Sequence, residues 1–177
     1  MSRDPETTQR LFFALWPDDS VRRQLAAAAQ RWTQRPVADA GLHMTLVFLG
    51  SRSAAQRQCF SEAVGAVRSD AFELALDYLG AWPRRGIRWL GTSQIPEALT
   101  DLVLQLHQVL PACGFEAEKR HFVPHITLSR KEKNPQPNAA VDVIRWYVPE
   151  FVLVESVAVP EGVCYQPVQR WPLQKSD

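Results

Sequence analysis

The chain has 177 residues, of which 46% are hydrophobic and 22% charged, a globular composition that excludes the disordered and fibrous classes. Its 20 Lys and Arg residues against 19 Asp and Glu give a formal net charge of +1. This balance excludes a protein that holds long duplexes through bulk positive charge, but it allows a small anionic ligand bound by a few local cations.

No stretch approaches the roughly 20 apolar residues of a transmembrane helix, and the start of the chain lacks an apolar secretory segment. We therefore expect a cytoplasmic protein. The three cysteines, Cys59, Cys113 and Cys164, are odd in number and far apart, which predicts neither a disulfide framework nor a paired metal motif. We expect them to be reduced, buried thiols.

The first half of the chain alternates predicted strands and helices after a polar, loose stretch over residues 1–9. A bulky apolar run over residues 10–16 predicts a buried strand, and the alanine-rich segment after it predicts a helix that ends near Trp32. A second strand over residues 42–50 is followed by a helical pattern. Strand character returns over residues 72–82.

The second half repeats this outline, so we expect one α+β body over residues 10–177 with two related lobes and no separating linker. Ser93 is placed to cap a helix that runs from Ile95 towards Leu110. The other predicted elements are a basic turn at 83–86, strands over 87–91 and 124–130, a Pro- and Asn-rich loop over 131–140, and two strands between Trp146 and Leu173.

Two of the four histidines begin the same tetrapeptide pattern, His43-Met44-Thr45-Leu46 and His125-Ile126-Thr127-Leu128. Side chains alternate along a strand, so each histidine shares a face with the threonine two residues later, and the apolar pair faces the core. The imidazole and the hydroxyl are then about 7 Å apart along the strand. If an approximate two-fold axis relates the lobes, both polar pairs face one cleft.

This pairing of groups suits phosphoryl chemistry without a metal. Imidazoles titrate near a pH of about 6.5, so one ring can accept a proton while the other donates one. Threonine hydroxyls can hydrogen-bond the non-bridging phosphate oxygens. Arg130 adds a permanent cation suited to phosphate, although strict alternation points it away from His125 unless the strand bulges or ends there.

The sequence resembles the 2H phosphoesterase superfamily, whose signature is two His-x-Thr/Ser motifs, and more narrowly the bacterial RNA 2′,3′-cyclic phosphodiesterases, also called 2′-5′ RNA ligases. The resemblance covers nearly the whole chain. It is carried by the two motifs and their flanks: RLFFAL, LHMTLVFLG, IRWLG, FVPHITLSR, FVLVES and GVCYQPVQRWPL. One departure lies before the first motif, where AGLHMT lacks the acidic and asparagine residues often found there.

The resemblance implies a bilobal α+β fold in which two antiparallel sheets with outer helices, related by a pseudo-two-fold axis, surround a central cleft. It implies that His43 is the proton donor to the leaving 3′-oxygen and that His125 is the proton acceptor that activates water. The ring then opens to a 2′-phosphomonoester. Thr45, Thr127 and Arg130 carry over as substrate-binding residues, and the reverse reaction would join RNA ends through a 2′-5′ linkage.

The expected partner is RNA with a 2′,3′-cyclic phosphate terminus, tRNA fragments among them, or a small cyclic nucleotide. We expect a monomer with no cofactor, no metal, no membrane contact and no obligate protein partner. Two alternatives stay open. One is a phosphodiesterase acting on another small cyclic phosphate or a 2′-5′ oligonucleotide. The other is a non-catalytic RNA-binding module, although the aromatic signature of such modules is not visible.

Other polar residues near the motifs have simpler interpretations. His121 and His125 are four residues apart, the spacing of a zinc pair on a helix, but Pro124 and the strand-like run after it argue against a helix there. The basic residues around the turn at 83–86 and around the second motif are interpreted as solvated surface charge. The alternative is a rim that attracts the RNA backbone to the mouth of the cleft.

Overall fold

The computed structural model describes residues 7–135 and 139–175, which contain eight strands and three α-helices. The strands are β1 (Gln9–Leu15), β2 (Met44–Arg52), β3 (Phe72–Trp82), β4 (Ile87–Gly91), β5 (His125–Ser129), β6 (Ala139–Val148), β7 (Glu150–Val159) and β8 (Gly162–Pro172). The helices are α1 (Asp19–Trp32), α2 (Ala54–Ala63) and α3 (Glu97–Val109). None of these helices is long and apolar enough to cross a membrane.

The strands form one antiparallel sheet in the order β6-β3-β4-β5-β2-β1-β7-β8. It consists of two four-stranded halves, because β2 and β5 join through a single backbone pair, Met44 with Ile126. The hairpin of β7 and β8 completes the half that contains β1 and β2, and β6 completes the half that contains β3, β4 and β5. This architecture confirms the expected α+β fold, and the two expected antiparallel sheets are the halves of one continuous sheet, joined at that single pair.

The main core lies between the three helices and one face of the sheet. Along β1, Leu11, Phe13 and Leu15 enter this core, whereas Phe12 and Ala14 belong to a separate cluster on the opposite face with two valines of β7. This alternation follows from the two-residue period of a strand. The opposite face is the one on which polar side chains can gather.

Local capping explains where the first two helices begin. The Asp18 carboxylate accepts a hydrogen bond from the backbone N–H of Val21 at 2.8 Å, which stabilises the start of α1. Ser53 and Gln56 form a reciprocal capping box at the start of α2. These caps hold the chain at the points where β1 and β2 lead into helices.

The expectation that Ser93 caps the third helix is wrong. Pro96 occupies the cap position of α3 without a side-chain hydrogen bond. The Ser93 N–H and hydroxyl both donate to the Asp77 carboxylate on β3, the N–H at 2.8 Å. The Ser93 side chain is therefore bound to a carboxylate on a strand that is distant in sequence and is not available to cap α3.

Two segment boundaries also differ from expectation. Residues 136–138 of the predicted loop over 131–140 lie outside the described residues, but β6 already begins at Ala139 because it pairs with β3. Residues 1–6 of the predicted loose N-terminus also lie outside the described residues, and β1 begins at Gln9.

The expectation of three reduced thiols is wrong for two of them. Cys59 on α2 and Cys113, at the end of a 3-10 helix over Leu110–Cys113, form a disulfide with a Cα–Cα distance of 5.7 Å. Cys164 is a free cysteine and is partly buried. The packing of α2 against the 3-10 helix brings together two cysteines that are 54 positions apart, which sequence spacing did not indicate.

Candidate active site

The two histidine motifs lie on neighbouring strands at the centre of the sheet. Met44 and Ile126, the second residue of each motif, pair with each other and are both 0% exposed. Leu46 and Leu128 are buried as well. The apolar halves of both motifs therefore anchor their strands in the core, as the alternation predicted.

The polar halves of the motifs face the other way and are partly buried. Continuing the antiparallel register from the central pair places His43 across from Thr127, and Thr45 across from His125. Thr45, Thr127 and His125 line one cavity, and His43 contacts Thr45. The structure thus brings together the four motif side chains that the sequence singled out.

Each histidine is oriented by a backbone carbonyl two residues before it. His43 Nδ1 lies 2.8 Å from the Gly41 carbonyl oxygen, and His125 Nδ1 lies 2.8 Å from the Val123 carbonyl oxygen. A carbonyl can only accept, so Nδ1 carries a proton in both rings. Nε2 is therefore the nitrogen that can exchange protons. His43 Nε2 lies 3.1 Å from the Thr45 hydroxyl, which donates to it when the ring is neutral. The two groups are thus much closer than the distance of about 7 Å expected from the spacing along the strand.

Aromatic side chains enclose the first histidine on three sides. The His43 ring centroid is 4.9 Å from that of Phe12 and 5.8 Å from that of Trp16, whose ring is stacked parallel to it. Tyr165 meets the imidazole edge-on at 5.0 Å. These rings come from β1, from the residue that follows it and from β8. They exclude water from most of the imidazole.

The second histidine has a different aromatic wall. Trp82 meets His125 edge-on with ring centroids 4.6 Å apart, and Trp89 lies 6.2 Å away. Both tryptophans belong to the β3–β4 hairpin. The two imidazoles therefore occupy equivalent backbone positions in unequal surroundings.

Burial lowers the pKa of His43 to about 4, and the Gly41 carbonyl opposes the shift, while the nearby charge of Arg130 lowers it further. Burial also lowers the pKa of His125, with the Val123 carbonyl opposing and Arg130 again lowering it. Both imidazoles are therefore neutral at pH 7 in the free protein. An anion bound beside them would counter the field of Arg130 and raise both pKa values.

A cavity of about 880 Å³ opens beside the motifs. Thr45, His125, Thr127 and Arg130 line the end nearest the central strands. Because β5 ends at Ser129, the alternation that pointed Arg130 away from His125 no longer applies. The exposed Arg130 side chain lines the same cavity as the motifs.

The remaining histidines also border this cavity but do not form a metal site. His107 lies on α3, and His121 is exposed in an irregular segment before β5. Within residues 7–135 and 139–175, no group of three or more His, Cys, Asp or Glu side chains is placed to hold a metal ion.

The model of the 2′-5′ RNA ligase superfamily matches residues 17–160. This chain belongs to the 2′-5′ RNA ligase superfamily. The RNA 2′,3′-cyclic phosphodiesterase of Escherichia coli (strain K12) is 35% identical over 175 residues, which cover 93% of this chain and 97% of that protein. A protein with the same name from Archaeoglobus fulgidus is 29% identical, over 89% of this chain and 96% of the relative.

Solved structures in the superfamily share the fold. The crystal structure of E. coli LigT complexed with 3′-AMP has a TM-score of 0.86 and 33% sequence identity, and the match covers 94% of this chain and 99% of that one. The crystal structure of a Thermus thermophilus protein, TT0787, has a TM-score of 0.79 and 26% identity, over 95% of this chain and 100% of that one.

One residue that sequence reasoning missed connects this superfamily site to α1. The Arg22 guanidinium donates hydrogen bonds to the carbonyls of Asp39 at 2.7 Å, Leu42 at 3.0 Å and Pro17 at 3.3 Å. It also lies over the Trp16 ring, 5.0 Å from its centroid. Arg22 therefore holds both the turn that precedes the first motif and the ring stacked on its histidine.

Some of the missed residues had a sequence signal and others had none. Alternation along β1 places Phe12 opposite the core residues Leu11 and Phe13, on the face that carries the motifs. Arg22 sits on the polar side of an amphipathic helix, where a solvated charge is the usual interpretation. Tyr165 reaches His43 from β8, and nothing local in its segment marks that contact.

Proposed function

We propose that this chain hydrolyses the terminal 2′,3′-cyclic phosphate of RNA to a 2′-phosphomonoester, with His43 as proton donor and His125 as proton acceptor. One observation carries the proposal: two His-x-Thr motifs pair on adjacent antiparallel strands, with Nδ1 of each histidine bound to a backbone carbonyl. His125 and both threonines line one cavity, and His43 Nε2 contacts the Thr45 hydroxyl at its edge. The relatives named RNA 2′,3′-cyclic phosphodiesterase supply the reaction and the substrate class.

The proposed reaction begins with a neutral His125 and a protonated His43. His125 Nε2 takes a proton from a water molecule as the water oxygen attacks phosphorus in line with the 3′-oxygen. The bond between phosphorus and the 3′-oxygen breaks, and His43 Nε2 gives its proton to that oxygen. The bond to the 2′-oxygen remains, so the product is a 2′-phosphomonoester. His125 then returns its proton to solvent and His43 takes one up.

The threonines and Arg130 stabilise the charge that builds on phosphorus in this scheme. Thr45 and Thr127 flank the cleft from opposite strands, so their hydroxyls can donate to different non-bridging oxygens. Arg130 supplies a permanent cation at the same end of the cavity. Once the Thr45 hydroxyl donates its hydrogen bond to a phosphate oxygen, its own oxygen is free to accept a hydrogen bond from a protonated His43.

Substrate binding itself charges the proton donor in this proposal. Burial keeps His43 neutral in the free protein at pH 7, with a pKa of about 4. The cyclic phosphate brings a negative charge beside it and beside Arg130, which favours the protonated ring. Proton uptake is therefore coupled to binding, and His43 then carries the proton that the leaving oxygen needs.

The proposal extends to tRNA fragments as substrates, to a cytoplasmic location and to a monomeric state. The near-neutral net charge supports recognition of one RNA terminus rather than a long backbone. The reverse reaction on the same site would form a 2′-5′ linkage between RNA ends.

The test is turnover and product analysis on an oligonucleotide that ends in a 2′,3′-cyclic phosphate. We expect His43→Ala and His125→Ala each to abolish turnover. The midpoint of urea unfolding at pH 7 should stay close to that of the parent protein. A 2′-phosphate product supports the assigned direction of opening, and a 3′-phosphate contradicts it. Tight RNA binding without turnover by the parent protein would favour a non-catalytic binding module. Turnover confined to 2′-5′ oligonucleotides or to other cyclic phosphates would favour the alternative phosphodiesterase activity.

A further inference from the structure

The cavity beside the motifs extends to one side of the central strands only. Its described lining comes from β2 and β5, from the β3–β4 hairpin, from α3 and from the segment between α3 and β5, and includes Arg130 just beyond β5. A cyclic phosphate held near His125 and Arg130 would therefore direct its attached nucleoside into this space. At about 880 Å³, the cavity is within the range of about 300–1,000 Å³ typical of small-molecule sites.

The walls and the rim of this cavity differ in chemistry. Phe48, Trp82 and Phe122 contribute aromatic surface of the kind on which a base can stack. The rim beyond them carries Arg84 and Arg85, which form the end of the 3-10 helix Pro83–Arg85 in the β3–β4 turn. The cavity therefore combines aromatic surface with positive charge at an exposed edge.

Arg84 and Arg85 are available to a ligand. Across the described ranges, neither side chain forms an ion pair or a hydrogen bond with another residue, and both are exposed. Arg120, another cation of the rim, differs because its guanidinium contacts the Glu118 carboxylate at 2.7 Å. Two arginines that no carboxylate neutralises thus project at one edge of the cavity.

The backbone of the turn that carries these arginines is fixed relative to Arg130. Gly86 ends the turn in the left-handed region, with φ of 62°, and its carbonyl accepts a hydrogen bond from the Glu132 N–H at 2.9 Å. The Glu132 carboxylate is buried and accepts a hydrogen bond from the Ser129 hydroxyl at 2.6 Å. A Cβ at position 86 would lie 2.9 Å from the Glu132 carbonyl oxygen, so the close contact needs glycine.

We propose that Arg84 and Arg85 bind the phosphodiester that joins the cyclic-ended nucleotide to the nucleotide before it. This inference rests on the proposed function and adds a second phosphate subsite to it. The contact is with phosphate and carries no base information. It therefore distinguishes oligonucleotides from cyclic mononucleosides, which lack a 5′-phosphate, rather than one RNA sequence from another.

The kinetic test compares adenosine 2′,3′-cyclic phosphate with the dinucleotide adenylyl-adenosine 2′,3′-cyclic phosphate. We expect the parent protein to prefer the dinucleotide in kcat/KM by roughly tenfold, the effect of one charge-assisted contact. The double variant Arg84→Gln with Arg85→Gln should lose this preference and keep its turnover of the mononucleoside. The control, Arg23→Gln with Arg31→Gln, removes the same charge from exposed positions on α1 and should keep the preference.

A binding experiment separates failure of the subsite from failure of the proposed function. Calorimetry with adenosine 2′-phosphate and adenosine 2′,5′-bisphosphate needs no turnover. We expect the 5′-phosphate to improve affinity roughly tenfold in the parent and in the α1 control, and not in the Arg84 and Arg85 variant. Equal affinities in the parent, or a preference that survives the double substitution, overturn the subsite. Absence of turnover on both cyclic substrates overturns the proposed function alone.

Discussion

Met44 and Ile126 form the backbone pair through which the two four-stranded halves of the sheet join, and each is the second residue of a His-x-Thr motif. The local two-fold axis of this antiparallel pair thus lies between the two motifs. Two copies of one tetrapeptide pattern can therefore present the same side chains to one cleft from opposite directions. The symmetry ends at the surrounding aromatic residues, which differ for His43 and His125.

The lowered histidine pKa values predict an acid-shifted, bell-shaped pH profile. The productive form carries one proton on the histidine pair, so its population peaks between the two pKa values, and both lie below about 6.5. We expect kcat/KM, which reports the free enzyme, to be maximal below a pH of about 6.5 and to fall on either side. Because the bound anion raises the pKa values, the kcat profile should be displaced to higher pH.

Steady-state rates on adenosine 2′,3′-cyclic phosphate over a range from acidic to alkaline pH measure both profiles. A profile of kcat/KM with a single limb would argue against two histidines in opposite protonation states. An optimum of kcat/KM above pH 7 would contradict the lowered pKa values in the free protein.

Arg22 is predicted to be a positioning residue for the proton donor. Replacing it with Gln removes three carbonyl contacts and a cation whose charge lowers the pKa of His43. We expect kcat to fall by roughly tenfold or more, the loss of one or two net hydrogen bonds at the site, with little change in KM. The pKa of His43 should rise, because the lost positive charge no longer opposes protonation of the ring, and the limb of the kcat/KM profile that reports His43 should move to higher pH.

Two further variants distinguish positioning from charge alone at this residue. Arg22→Lys keeps the cation but cannot bridge three carbonyls, so it should restore the position of the limb that reports His43 without restoring kcat. Arg23→Gln, the neighbouring exposed position on α1, serves as the control. Rates and a pH profile for Arg22→Gln that match those of Arg23→Gln would refute the role of Arg22.

Local patterns predicted much of this molecule from its sequence. Strand-like composition on either side of the turn at 83–86 predicted β3 and β4 at their observed bounds, and the repeated motif identified the four side chains that lie together at the centre of the sheet. These features depend on residues close together in the chain. The position of the Arg130 side chain in the cavity was not predictable in the same way, because it depends on β5 ending at Ser129.

The features that sequence patterns did not predict depend on distant segments meeting. Ser93 resembles a helix cap, yet an Asp77 acceptor on β3 binds it instead. Tyr165 and Arg22 reach the site from β8 and α1, whose positions follow from the whole topology. Periodicity describes which face of an element is buried and does not describe what that face meets.

The disulfide between Cys59 and Cys113 predicts a measurable difference in stability between oxidised and reduced protein. It closes a loop with a sequence separation of 54, so its loss should lower the free energy of unfolding by about 2–4 kcal/mol. Urea unfolding with and without a reductant measures the difference. Cys59→Ser with Cys113→Ser should match the reduced parent and be insensitive to reductant.

A thiol count provides an independent check of the same bond. Protein purified without reductant and then denatured should react with one equivalent of a thiol reagent, at Cys164. Three reactive thiols under those conditions would restore the expectation of reduced cysteines. If the disulfide is present, the variant Cys164→Ser should have no reactive thiol in the oxidised protein.

Gly80 on β3 is predicted to be required for the aromatic wall of His125. A Cβ at this position would overlap the Trp89 indole, which packs over the glycine and contacts both Trp82 and His125. Gly80→Ala should therefore displace the indole, cost about 1–3 kcal/mol of stability and lower kcat. Gly65→Ala is the matched control, because no atom lies within 4 Å of a Cβ there. Tryptophan fluorescence reports the displacement directly, and an unchanged spectrum with unchanged kcat in Gly80→Ala would show that the wall does not position His125.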